Sequence, residues 1–187
     1  MLEDGSVYEG TARGDFKETA CEIVFNTSMT GYVEILTDPS YAGQGVVMTY
    51  PMIGNYGISR EDFESERLQP SAFIVHELSS DPSNFRCTDT IENLLKEYNI
   101  PCISGVDTRA VVKKLRESGT MRGVLTSDIG DRERLMDVIK SFRQIDLVGS
   151  VTAKQTKVYG EENTGAEIAL MDFGTKRNII NNLVKRN

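Results

Sequence analysis

The chain has 187 residues, enough for one medium domain or one domain with part of another. Hydrophobic residues make up 39% and charged residues 26%, which excludes a globally disordered or low-complexity chain. Acidic residues outnumber basic ones 28 to 21, for a net charge of -7, and Trp is absent. Binding to a nucleic-acid backbone would therefore need a local basic patch, and the densest cluster, Lys113, Lys114 and Arg116, sits on one short predicted helix.

The first ~80 residues have strand character, with period-two apolar patterning and turn-rich connections. Strands are expected at residues 7–9, 22–25, 45–50 (stopped by Pro51) and 72–75. Between them lie polar loops at 26–31, 37–45 and 54–57, and a charged stretch, 60–67, that reads as a solvated helix or loop. After residue 88 the period changes to 3.6. Ile91, Leu94, Leu95 and Tyr98 share a helix face, with Asp89 and Glu92 spaced as a capping box and Asn99 and Pro101 as the stop. A short strand at 102–104 follows. Asp107 then caps a helix that buries Val111, Val112 and Leu115 and ends at Gly119. A strand at 123–126 precedes a third helix, capped by Asp131, with Leu135, Met136, Ile139 and Phe142 facing inward.

From 152 the chain turns polar and aperiodic, which reads as a linker over 152–166. The apolar run 167–173 ends in a turn at Gly174, and a helix over 176–186 carries Ile179, Ile180, Leu183 and Val184 on one face. That is the opening strand–turn–helix of an α/β domain, cut off after one unit. The domain division is therefore 1–151, linker 152–166, and 167–187 as the start of a second fold.

No apolar run reaches the ~20 residues of a membrane span, and the acidic start Met1-Leu2-Glu3-Asp4 is unlike a secretory signal. Three cysteines, Cys21, Cys87 and Cys102, suit reduced thiols in a cytoplasmic protein better than a disulfide framework. The single histidine, His76, has no nucleophile elbow near it, and three Cys plus one His lack the paired spacing of a zinc site. Neither a dinucleotide fingerprint nor a phosphate-binding loop is present. Two polar loops remain as candidates. Asn26-Thr27-Ser28-Met29-Thr30-Gly31-Tyr32 is dense in hydroxyls, and Thr37-Asp38-Pro39-Ser40-Tyr41 is a rigid turn that presents a serine. Both fit a polar ligand or partner as well as ordinary turn chemistry.

The same loops carry a resemblance. Phe25 to Glu34, then Leu36-Thr37-Asp38-Pro39-Ser40-Tyr41, resemble the small, glutamine-hydrolysing subunit of carbamoyl-phosphate synthetase. Leu2-Glu3-Asp4-Gly5, Thr49-Tyr50-Pro51, Gly54-Asn55-Tyr56-Gly57, Ser83-Asn84-Phe85-Arg86 and Ile103 to Arg109 follow in order, and Asp172-Phe173-Gly174 with Lys176, Asn178 and Ile179 completes the set. The resemblance implies an α/β fold, with a swivelling β/β/α N-terminal domain followed by the truncated start of a class I glutamine amidotransferase domain. In that family a cysteine thiolate with a His-Glu pair hydrolyses L-glutamine. The ammonia passes to the large subunit, which uses bicarbonate and two ATP, with Mg, to make carbamoyl phosphate for arginine and pyrimidine synthesis. The family's nucleophile lies in a G-x-C-x-G turn expected beyond residue 187, so no catalytic role is carried onto Cys21, Cys87 or Cys102. Only one glutamine contact maps here, Ser40. The expectation is a cytoplasmic ligase subunit whose fragment is itself inactive. It would bind no cofactor or metal of its own, dock the large subunit and lend Ser40 to the glutamine site. The competing expectation is a stand-alone, non-catalytic interaction module.

Overall fold

The computed structural model describes residues 1–14, 16–143 and 146–186. Its elements, in chain order, are β1 (Thr11–Arg13), β2 (Thr19–Asn26), α1 (Tyr32–Thr37), a 3-10 turn (Pro39–Tyr41), β3 (Gln44–Met48), β4 (Met52–Ile53), a second 3-10 turn (Arg60–Asp62), β5 (Ala72–Ile74) and β6 (Glu77–Leu78). Then come α2 (Ile91–Glu97), β7 (Cys102–Ser104), α3 (Thr108–Ser118), β8 (Met121–Leu125), α4 (Arg132–Ser141), α5 (Leu147–Val151) and α6 (Arg177–Arg186). Six strands form one mixed sheet in the order β1-β7-β5-β3-β2-β8, and β4 pairs with β6 in a small parallel ribbon. The inner strands β7, β5, β3 and β2 run parallel, while β1 and β8 are antiparallel edges.

Period-two alternation distributes the core over both faces. Val46 and Met48 of β3 and Phe73 of β5 pack with Tyr32 and Leu36 of α1 and with Ile91, Leu94 and Leu95 of α2. Their neighbours Val47, Ala72 and Ile74 point the other way, into a cluster with Val111, Val112 and Leu115 of α3. A smaller cluster seats Leu135 and Ile139 of α4 on Val124 of β8. Asp107 and Asp131 cap α3 and α4 as the sequence predicts, each side chain accepting the backbone N–H of the third residue on, at 2.9 Å. Gly119 ends α3.

Several expectations are corrected. Residues 7–9 form no strand; β1 lies at Thr11–Arg13, where the backbone meets β7. The cap of α2 is Thr90, whose hydroxyl accepts the Asn93 N–H at 3.2 Å, and Asp89 instead receives the Thr90 N–H and the Asn93 amide. In α4, Met136 and Phe142 are only half-buried, because the single apolar row Leu135–Ile139 already fills the contact with β8. The stretch between the two polar loops is helix α1, too short for a 3.6-period to stand out, and α5 precedes the polar segment without an apolar face of its own. Most importantly, residues 167–173 are not a strand. Ile168, Met171 and Phe173 stay exposed, because no described strand lies alongside to take up their backbone hydrogen bonds. The helix that follows, α6, forms as predicted, with Ile180, Leu183 and Val184 half-buried, but Ile179, expected on the same face, is exposed.

Candidate functional site

Asp38 ends α1 and starts the 3-10 turn, with Pro39 supplying a pre-set φ at its first position. One Asp38 carboxylate oxygen accepts the Ser40 N–H at 2.9 Å. The other accepts the Lys176 ammonium at 2.7 Å. The Asp38 carboxylate is thus a buried charge satisfied on both oxygens, which fixes the turn and leaves Ser40 exposed at its crest. The Ser40 hydroxyl makes no hydrogen bond to a described residue. The Tyr41 hydroxyl accepts from the Asn26 amide at 2.9 Å, joining the turn to the end of β2.

Lys176 is held by a second set of contacts. The Asp172 carboxylate accepts the Gly174 and Thr175 N–H groups at 2.9 and 2.7 Å. Partial burial pushes this carboxyl up, but the backbone hydrogen bonds outweigh it and hold it below its ordinary value. Gly174 sits at φ 103, and a Cβ there would lie 2.7 Å from Val151 and 3.1 Å from Pro39, so only glycine lets this turn back onto the Ser40 turn. Glu64 then receives the amino end of α6. Its carbonyl accepts the Arg177 N–H at 2.8 Å and its carboxylate the Asn178 N–H at 2.9 Å, an anion on orphan helix donors. The Glu64 N–H in turn donates to the buried Thr37 hydroxyl at 2.9 Å. Lys176 gains a proton affinity above the ordinary lysine value, chiefly from its hydrogen bond to Asp38.

Two motifs 134 positions apart, at Ser40 and Gly174, are therefore brought into one polar cluster. The fixed Asp38–Lys176 pair and a free neutral hydroxyl suit orientation of a polar ligand. Nucleophilic attack would need a base beside Ser40, and the one histidine is committed elsewhere: the His76 Nδ1–H donates to the Val106 carbonyl at 3.0 Å. Sequence reasoning singled out Ser40 and placed Asp38 in its turn, but missed Glu64 and Lys176 as supports. A carboxylate paired with a lysine far downstream gives no local signal.

The cysteines do not assemble a site. Cys21 and Cys102 lie on β2 and β7 in the core, where burial pushes both thiols up to about 12. Cys87 is half-buried and its thiol donates to the Asp89 carbonyl at 3.4 Å. Among the described residues no group of three or more His, Cys, Asp or Glu could hold a metal ion. In the other polar loop, Asn26 accepts the Ser28 N–H at 2.7 Å, an ordinary Asx turn. No helix among the described residues is long and apolar enough to cross a membrane.

Comparison with known proteins gives a consistent result. The family described as carbamoyl-phosphate synthase small chain, CPSase domain, matches residues 1–125. The chain is 48% identical to the carbamoyl phosphate synthase small chain of Clostridium perfringens over 187 residues, which is 100% of this chain and 53% of that protein. It is 47% identical to that of Archaeoglobus fulgidus over 190 residues, 99% of this chain and 52% of the relative. With the Bacillus caldolyticus small chain it shares 46% over 188 residues, 100% and 51% of the two. The chain spans about half the length of the curated relatives it matches. A family match across residues 1–125, together with relatives nearly half identical along the whole chain, places this protein in the carbamoyl-phosphate synthase small-chain family.

Proposed function

We propose that this chain is the supporting, N-terminal part of a glutamine-hydrolysing small subunit. Residues 1–151 act as its swivelling domain, 152–166 as linker and 167–187 as the start of the amidotransferase domain. In this reading the reactive thiolate belongs to a part of the subunit that this chain does not contain. L-Glutamine is hydrolysed there, and ammonia goes to a large subunit that uses ATP and Mg to make carbamoyl phosphate. The work of this chain is to dock the large subunit in the cytoplasm and to offer the Ser40 hydroxyl to the bound glutamine. By itself it turns over no glutamine, since its core thiols are held protonated and none is paired with His76.

One observation carries the reading: Ser40 is an exposed hydroxyl, uncommitted to any described residue, on a turn locked to the 172–178 segment through Asp38 and Lys176. The test is Ser40→Ala in a subunit of the relatives' full length, assembled with its ATP-using partner. The KM for glutamine should rise more than kcat falls, as when ground-state binding is lost. Unchanged glutamine kinetics would remove Ser40 from the site. Failure of this chain to capture the ATP-using subunit in a pull-down would remove the docking role.

A further inference from the structure

A cleft of about 470 Å³ runs along the amino edge of the parallel strands. Thr19, Gly43, Ser71 and Ile100, which start or lie within two residues of the start of β2, β3, β5 and β7, line it together with Leu147 and Ser150 of α5. The close wall depends on Gly43. It sits at φ 74, and a Cβ there would come within 2.8 Å of Leu147. This volume lies within the range of small-molecule sites.

The lining is electrostatically unlike the rest of the chain. Lys17 and Arg67 both border the cleft, and no described lining residue is acidic, in a protein of net charge -7. Neither cation is in an ion pair with a described residue, and among the described residues the Arg67 guanidinium hydrogen-bonds only to the Ser150 carbonyl, at 3.4 Å. Four of its five donors are therefore uncommitted to described residues. The carboxyl end of α2 also reaches the cleft at Tyr98, but a helix end carries roughly half a negative charge against two full positive ones. The Ser71 hydroxyl and the Asn99 amide add polar groups that hydrogen-bond to no described residue. Tyr98 and Leu147 add apolar surface beside them.

We propose that this cleft binds a small organic anion, an oxyanion head between Lys17 and Arg67 on a short apolar body resting against Tyr98 and Leu147. The guanidinium fork suits either a phosphate or a carboxylate head. Ser40, Asp38 and Lys176 are not among the lining residues, so the inference does not rest on the glutamine reading.

The test is NMR titration of the isotope-labelled chain with phenyl phosphate, benzoate and neutral benzyl alcohol. Saturable shifts at the amides of 67–71 and 98–100 are expected with at least one anion, and binding should weaken as salt is raised. Saturation by phenyl phosphate alone assigns a phosphate head, and by benzoate alone a carboxylate head. Benzyl alcohol should bind at least about fivefold more weakly, and Lys17→Gln and Arg67→Gln should each weaken anion binding about two- to fivefold. Ser150→Trp, which fills the cleft while keeping both Lys17 and Arg67, should abolish it. All three positions are exposed, so thermal stability should hold. No saturable shift with either anion, or equal binding by the Lys17→Gln/Arg67→Gln double variant, overturns the proposal.

Discussion

Replacing Lys176 by methionine isolates the contact that joins the two halves of the candidate site. The Asp38 side chain is 8% exposed and that of Lys176 44%. Truncating one partner of a fully buried pair costs about 3–5 kcal/mol, whereas an exposed pair is worth about 0–1. With the carboxylate buried and the ammonium half in water, Lys176→Met should cost about 1–2 kcal/mol. The loss falls on the attachment of residues 172–178 rather than on the sheet, because no residue of that segment belongs to either main cluster. Hydrogen exchange at the Arg177 and Asn178 amides, both bonded to Glu64, reads it directly. Their exchange should accelerate about 5–30-fold while the core strands β3 and β5 are unchanged. Asp38→Asn on top of Lys176→Met removes the orphaned charge and should recover part of the loss, so the double-mutant cycle is non-additive. Since the folded-state pKa of Lys176 lies above its ordinary 10.5, the contribution is complete below that value and is lost as pH rises through the higher folded one. Unaltered α6 exchange in Lys176→Met, or strict additivity with Asp38→Asn, would refute the argument.

Three further outcomes follow from the same geometry. Arg134 grips Glu18 with two hydrogen bonds of 2.8 Å and Thr126 adds a third, which together hold the Glu18 carboxyl down to about 2. The pair is exposed, so its advantage over Glu18→Gln should be under about 1 kcal/mol. That advantage should be complete above the ordinary pKa of 4.5 and fade as pH falls towards 2; melting curves showing the same difference at both extremes would contradict this. A glutamine-like alkylating reagent should label native Cys87 slowly and Cys21 and Cys102 hardly at all, since thiols near pKa 12 carry almost no thiolate at neutral pH. Mass spectrometry finding rapid modification of either core thiol would show that burial does not control their reactivity. Leu135→Ala, at a fully buried position under α4, should cost about 2–5 kcal/mol in denaturant unfolding, and a loss below 1 would mean that the site collapses around the missing atoms.

What the sequence determined by itself is what depends on near neighbours. Asp107, Asp131 and Gly119 mark helix ends because a cap bonds to residues two or three positions away. The strands at 72–74 and 102–104 and the apolar faces of α2 and α3 follow from periodicity, which needs no knowledge of partners. The Ser40 turn was legible for the same reason, since Asp38, Pro39 and the Ser40 N–H close it locally. Tertiary structure decided the rest. The run at 167–173 has strand composition, but a strand exists only when a neighbouring strand takes its hydrogen bonds, and no described strand pairs with it. Helix α1 is held by burial of Tyr32 and Leu36 against β3 and β5 rather than by its own short pattern. The supports of Ser40 were hidden because Asp38 meets Lys176, and Glu64 meets α6, only across chain separations of more than a hundred residues, where attraction between charges leaves no trace in local spacing.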